Sequence, residues 1–398
     1  MERRYDLVLY GATGFTGRQM AVYLAKHAPA GLRWAIAGRD RARLDELRAG
    51  LPASVDVLVA DATDAPAVDA LVKSTRVVVS TAGPYNRYGD PLLAACVANG
   101  THWCDITGET PWVRGLVDRF HEKAVADGTR IVSFCGFDSV PSDLGAWMVV
   151  NWIRDTWAQP TSSVYAAFSA KGGFNGGTLA SALDIAQQRG LGDPALLSPA
   201  AWRSDEERRR APPDMPAVAW DADLQKFIGP FFMAATNTRV VRRSRALFAD
   251  AGFDYGAGFT YGEALESRSR WELYAMSAGM AGGFLALKTG LGRAAARRFG
   301  PKPGEGPSEE TMDSGFFRAR LIGVAADGRK ALGTVEDQGD PGNRATVKML
   351  AESALALATE TLPSGGGVLT PATAFGQVLL DRLRKAGMTW TVAPLAGA

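Results

Sequence analysis

Cysteine and histidine are scarce in this 398-residue chain, with three of each. Cys96, Cys104 and Cys135 are too few and too scattered for a disulfide framework, and read as reduced thiols of a cytosolic protein. No close His, Cys or acidic spacing appears, so no metal site is expected. An excess of one charge is also lacking: 44 basic residues face 42 acidic ones. That balance gives no electrostatic reason to expect nucleic acid. Long apolar runs are missing too. The longest uncharged apolar stretch, Leu273 to Leu287, has fifteen residues, short of the ~20 that span a bilayer. The first ten residues lack the charged and apolar regions of a signal peptide. The expected location is cytoplasmic, with attachment to the inner face of the plasma membrane left open.

What is present is an ordinary globular composition, 46% hydrophobic and 22% charged, long enough for two or three domains. Tyr5 to Tyr10 is a short apolar run that ends in Gly11-Ala-Thr-Gly-Phe-Thr-Gly17. Helical and strand-like segments then alternate, giving six strands before residue 140. That pattern means βαβ units and a parallel, doubly wound sheet. Beyond it, Ser142 to Trp157 reads as a long apolar helix and Val164 to Ala170 as a strand. Residues 190–216 and 300–315 read as surface loops. Asp327-Gly328 marks a hairpin turn, and Thr346 to Thr361 and Thr373 to Ala386 read as the last helices. The expected fold is α/β: a Rossmann-like domain over 1–140 and an α+β domain over 141–344 with a mainly antiparallel sheet. Residues 345–398 are expected to pack back on the first domain.

Gly11, Gly14 and Gly17 have the spacing of a Rossmann variant and lie between the first strand and first helix, the context such a pattern requires. Glycines let the backbone turn tightly and approach a pyrophosphate, and the helix N-terminus supplies free N–H groups. Gly11, Thr13, Gly14, Phe15, Thr16 and Gly17 are therefore the expected phosphate cradle, with Arg18 able to add a contact. The second strand chooses the cofactor. NAD enzymes usually place an acid at its end, and here the end is Gly38, followed by Arg39. A small residue leaves room for a 2′-phosphate and a guanidinium pairs with it, so NADP is expected. Asp40 reads as the cap of the next helix. Asp61 reads either as a contact to the adenine edge or as a helix cap. Ala82, Gly83 and Pro84 lie where the nicotinamide ribose runs.

The stretches Gly11–Gly17, Ala37–Asp40, Ser80–Tyr85 and Cys135–Asp143 resemble the saccharopine dehydrogenase-like superfamily. Lys171–Thr178, Ala235–Arg243, Pro301–Ser308, Gln338–Gly342 and Gly367–Ala372 narrow this to a resemblance to the trans-acting enoyl reductases. The resemblance implies a Rossmann domain plus a substrate domain. It also implies NADPH as reductant of a carbon–carbon double bond in a lipid or polyketide acyl chain. That chain is carried by a polyketide synthase lacking its own reductase domain, in glycolipid biosynthesis. It matches Pro84-Tyr85 and Asp138 to positions of true saccharopine reductases. It puts Lys171 where they have a cysteine. It finds no counterpart of the arginine that grips their amino-acid carboxylate, since Asn175–Ser181 is followed by no basic residue before Arg189. A saccharopine substrate is therefore not expected.

Enoyl reduction needs a proton at Cα and stabilisation of a developing enolate. Tyr85, Lys171 and Asp138 are the catalytic candidates. Each has a plainer reading, as a packing aromatic, a surface lysine and a helix cap. Asp105, Gly108 and Glu109, on the loop after the fifth strand, could offer polar contacts to a ligand. Two other functions stay open: an imine or ketone reductase, and a non-catalytic NADP-binding protein on a lipid surface. Leu273–Leu287 leads into Lys288, Arg293, Arg297 and Arg298. Residues 273–298 thus fit a helix at a membrane surface, or a core or homodimer helix packed through Gly279, Gly282 and Gly283.

Overall fold

The computed structural model describes residues 3–173, 175–176, 192–302 and 304–395. Thr178–Ser181 and Arg189 lie outside them. Two seven-stranded sheets organise the described residues. The first holds β1 (Tyr5–Tyr10), β2 (Trp34–Gly38), β3 (Asp56–Val59), β4 (Thr75–Ser80), β5 (His102–Asp105), β6 (Arg130–Val132) and β13 (Gly367–Leu369). Their order is β13-β6-β5-β4-β1-β2-β3, and every pairing is parallel. Runs such as Leu7-Val8-Leu9 and Val77-Val78-Val79 are buried on both faces, as a parallel sheet covered by helices requires. The connecting helices are α1 (Phe15–His27), α2 (Arg41–Ala49), α3 (Ala65–Ser74), α4 (Tyr85–Ala98) and α5 (Thr110–Asp127). The strand order reverses between β1 and β4, which opens the crevice where such sheets bind ligands.

Helix α6 (Val140–Trp157) carries the chain into the second sheet. Its strands are β7 (Thr161–Lys171), β8 (Ala219–Asp221), β9 (Lys226–Gly229), β10 (Thr260–Ser267), β11 (Phe316–Ala325), β12 (Lys330–Gln338) and β14 (Thr389–Pro394). Their order is β14-β12-β11-β7-β10-β9-β8. All pairings are antiparallel except β7–β10, so the sheet is mixed. Helix α6 lies directly on it. A Cβ at Gly323 or Gly333 would come within 2.3 or 2.6 Å of Val149, so only glycine permits this approach.

The C-terminal region divides. Helix Thr346–Thr359 packs on α1 and on β1, β4 and β5, while β13 extends the first sheet beyond β6. Strand β14 instead pairs with β12 in the second sheet, so residues 345–398 do not all return to the first. The last helix breaks at Gly376 (φ +49°) into Pro371–Phe375 and Gln377–Lys385. The short strands β8, β9 and β14 are absent from the sequence reading, and Asp205–Arg210 within the expected 190–216 loop is helical.

Candidate functional site

The loop after β1 is built around contacts that only glycine allows. Gly11 has φ +82°, and a Cβ there would lie 3.0 Å from the Ala82 nitrogen. A Cβ on Gly17 would fall 2.2 Å from the Gly11 carbonyl oxygen. A Cβ on Gly14 would approach nothing closer than 3.3 Å, so its missing side chain leaves free space beside the turn. Gly14 is the N-cap of α1 and no side chain caps that terminus. Free N–H groups, a positive helix end and open space suit a pyrophosphate. Thr81 Oγ1 donates to the Gly11 carbonyl at 3.1 Å and ties the β4 loop, with Ala82, Gly83 and Pro84, to the cradle.

At the end of β2, a Cβ on Gly38 would meet only Leu44 at 3.8 Å. Arg39 is exposed beside it. Asp40 accepts from the Arg43 N–H at 3.1 Å and caps α2. Asp61 accepts from the Thr63 N–H and hydroxyl at 2.9 and 2.8 Å, in a small turn after β3. These bonds hold its carboxyl below the usual carboxylate range. Arg39 is thus left facing solvent where a 2′-phosphate would sit. A charge-assisted contact is worth ~1.5–3 kcal/mol, so Arg39→Ala should weaken NADPH by about tenfold or more and leave NADH nearly unchanged. Fluorescence titration with both nucleotides checks this, and equal losses would remove Arg39 from the phosphate site.

Residues 300–302 and 304–308 are not a free surface loop. Gly306 lies so close to Phe15 that a Cβ would reach 2.4 Å from its ring. Arg18 donates to the Thr13 carbonyl at 2.9 Å and to the Gly304 carbonyl at 3.0 Å. Gly176 N–H donates to the Glu305 carbonyl at 3.0 Å, and Pro307 lies against Gly173. The segment is wedged between the phosphate cradle and the turn that follows Lys171. Arg18 therefore holds two backbone carbonyls in this structure rather than standing free for a phosphate.

Tyr85 does not face a cleft. It is 3% exposed, its ring stacks on Trp112 at 5.6 Å, and its hydroxyl donates to the Ser80 carbonyl at 2.9 Å. Burial pushes its pKa well above the usual tyrosine value. The geometry is that of a packing residue whose proton is already committed, which corrects the expectation of an acid here. Tyr85→Phe should keep turnover within about threefold and cost roughly 1 kcal/mol of stability, one hydrogen bond. Steady-state rates and thermal melts check it. Glu109 accepts from the Tyr85 and Asn86 N–H groups, both at 2.9 Å, so it caps α4. Asp105 is buried under Trp103 Nε1 (2.6 Å), the Thr107 N–H (2.9 Å) and Ser133 Oγ (3.0 Å). Burial pushes its pKa up to about 6. Neither acid is presented to a ligand.

Asp138 differs. It lies on the loop between β6 and α6, at the carboxyl edge of the sheet, and its Oδ2 points at Gly108. No hydrogen bond or ion pair reaches its carboxyl among the described residues, and desolvation pushes its pKa up to about 6. The loop around it is held hard. Phe134, just upstream, sits at φ +68°, a strained conformation for a bulky residue that persists only where its surroundings dictate it. The Phe137 N–H donates to Thr346 Oγ1 at 3.1 Å. Ser139 Oγ donates to Asn237 Oδ1 at 3.1 Å, and Asn237 Nδ2 donates to Glu263 at 2.9 Å. Glu263 also accepts from the Tyr261 hydroxyl at 2.6 Å, and burial pushes its pKa up to about 7.

Lys171 ends β7, exposed, opposite Phe316. The turn after it packs on Pro341 and Pro307. Phe137, beside Asp138, packs edge-on against Phe317 at 4.9 Å, one residue from Lys171's partner. Phe316 and Phe317 stand on opposite faces of β11, so the register places Lys171, paired with the exposed Phe316, on the other face of the sheet from Phe137 and Asp138, and the two candidates are not brought together. Asp143 is engaged elsewhere. It accepts from the Ser244 hydroxyl and from the Ala372 N–H at 2.8 Å, stitching three helices together. Glu263 had no local signal in the sequence, because it sits in an otherwise ordinary strand. A cavity of about 370 Å³ lined by Tyr23, His27, Arg344 and Lys348 lies between α1 and helix Thr346–Thr359. None of the candidate residues lines it.

Three comparisons bear on this arrangement. Residues 7–132 match the saccharopine dehydrogenase NADP-binding domain. A Mycobacterium tuberculosis relative, Rv2449c, is 39% identical over 99% of both chains and shares its family name with a second group. Members of that group, named trans-acting enoyl reductase in Mycobacterium tuberculosis and Mycobacterium leprae, are 36% identical over 97% of both chains. Among solved structures, apo saccharopine dehydrogenase (L-Glu forming) from Saccharomyces cerevisiae superposes with a TM-score of 0.56 at 14% identity. That match covers 98% of this chain and 99% of the other. At that identity the match establishes shared architecture.

Proposed function

The chain belongs to the trans-acting enoyl reductase family and is an NADP-dependent oxidoreductase, and from that premise we propose that it reduces the carbon–carbon double bond of an α,β-unsaturated acyl chain. The acyl group is proposed to be a lipid or polyketide intermediate held as a thioester on the carrier of a synthase that lacks this step. What supports the reading is that the likeness to the enoyl reductases runs through both sheets and not only the NADP-binding part.

When bound, NADPH supplies the hydride for Cβ. Gly11, Gly14 and the open N-terminus of α1 would hold its pyrophosphate, and Gly38 and Arg39 its 2′-phosphate. Ala82–Pro84 would border the nicotinamide ribose. Asp138, in its protonated form, is proposed to give its proton to Cα, its desolvated position raising the share of that form. Residues 300–302 and 304–308 would exclude water from the cradle. The test is NADPH oxidation against a panel of enoyl thioesters, ketones and imines, followed by product mass. Turnover of an enoyl thioester with gain of two hydrogens supports the reading. Turnover of ketones or imines alone would overturn it.

A further inference from the structure

Helix Arg270–Lys288 and helix Gly290–Phe299, joined at Thr289, form a pair that stands away from the body of the protein. Leu273 is the one buried side chain of the first helix, seated against Gly229 at its base. Outward from there the apolar residues face solvent: Phe284 is 48% exposed, Leu285 67% and Leu291 86%. A monomeric soluble protein rarely shows such a contiguous patch. This removes the core-helix reading of Leu273–Leu287. No helix among the described residues is long and apolar enough to cross a membrane.

We propose that this helical pair docks the protein on an anionic lipid surface, with its Phe284–Leu291 tip entering the headgroup layer. Two observations choose this occupant over a protein. At the tip, the uncharged residues Ala281 to Ala286 are all exposed, and at about 100° per residue they fall on all sides of the helix. A protein groove covers one side of a helix, whereas a bilayer surrounds an inserted tip. The charge is also one-sided. Between Glu272 and Glu305 the sequence has Lys288, Arg293, Arg297, Arg298 and Lys302 and no acid. Such a segment is drawn to anionic headgroups and repels a second copy of itself. Lys288 lies over the Phe284 ring at 4.8 Å and Arg298 beside Phe299 at 5.8 Å. Each thus couples an apolar body to a cationic end, as interfacial residues do.

The chain leaves this pair at Gly300 and enters the segment wedged over the phosphate cradle. Docking would thus bring the phosphate cradle toward the layer where long acyl chains reside. That consequence rests on the proposed acyl substrate; the docking itself does not. The test is sedimentation of the full chain with phosphatidylcholine vesicles, with and without phosphatidylglycerol. Binding is expected only to the anionic vesicles and should weaken as salt rises. The triple variant Phe284→Ser/Leu285→Ser/Leu291→Ser should lower the partition coefficient by about tenfold or more, with its melt and its turnover of a soluble short enoyl thioester unchanged. Arg293→Gln/Arg298→Gln should lower it severalfold. The proposal is overturned if the parent does not bind the vesicles. It is equally overturned if the triple variant binds as well as the parent, or if the patch proves to hold a dimer in light scattering. Lack of turnover on enoyl thioesters would count against the proposed reaction and leave the docking result intact.

Discussion

Asp138→Asn is expected to bind NADPH like the parent and to lose roughly 10²-fold or more in turnover, the scale of a positioned general acid. Its carboxyl carries no partner, so removing the charge breaks no hydrogen bond. Desolvation pushes its pKa up to about 6, which sets the sign of two pH effects. As an acid it works protonated. The parent's kcat/KM should be flat below pH 6 and fall about tenfold per pH unit above it, and the residual rate of the variant should lack that limb. Stability runs the same way. A carboxyl whose folded pKa is raised favours the folded state at low pH and opposes it once ionised. The variant should therefore melt above the parent at pH 8, the two converging below pH 4. A variant that melts lower at every pH, or that keeps the parent's pH profile, would reduce Asp138 to a structural residue.

Gly17→Ala is expected to damage cofactor binding and folding together, because the new methyl group would meet backbone. Its nearest atoms would be the Gly11 carbonyl at 2.2 Å and the Ala12 Cα at 2.9 Å, neither of which can swing aside. Helix α1 would have to lift from the strand, at the ~1–3 kcal/mol typical of overpacking. NADPH affinity should fall by more than tenfold as the helix N-terminus leaves the pyrophosphate. Gly14→Ala provides the contrast. Its Cβ would meet only the Gly11 carbonyl, at 3.3 Å, so the protein should melt normally while the methyl group occupies ligand space. Parallel melts and NADPH titrations separate the two. A Gly14→Ala protein that binds NADPH normally would show that the cradle is not where the pyrophosphate lies.

The first sheet was legible because local signals sufficed. Its central strands β1, β2 and β4 are largely apolar runs, and its ligand loop is a glycine pattern in one stretch of chain. Strands β8 and β13 are only three residues long, and β8 lies largely in solvent, so neither periodicity nor burial marks them in sequence. Residues 300–308 carry the proline, glycine and charge of a solvated loop. Composition does not distinguish such a loop from one wedged beneath a neighbour's ring. The Tyr85 expectation failed for a related reason. Its burial is set by Trp112 and Glu109, more than twenty residues away, and nothing in Pro84-Tyr85 reports them. With Asp138 the sequence supplied the residue, but the absence of any partner is a property of the fold.

Strand β13 completes the first sheet by pairing with β6, a segment far from it along the chain. The first six strands leave the ribosome early, yet the edge beyond β6 stays open until Gly367–Leu369 arrives. The face over β1, β4 and β5 likewise waits for helix Thr346–Thr359. During roughly 10–50 s of synthesis at ~5–20 residues per second, the nascent dinucleotide fold must exist with an unpaired parallel edge and an unroofed apolar face. Such edges invite pairing with other chains. A premature stop between residues 140 and 346 would therefore release an aggregation-prone sheet lacking its edge strand and one helical cover, and a fragment ending near residue 140 would make a poor stand-alone NADP-binding domain. Translation of this chain is best judged by whether Thr346–Leu369 is made.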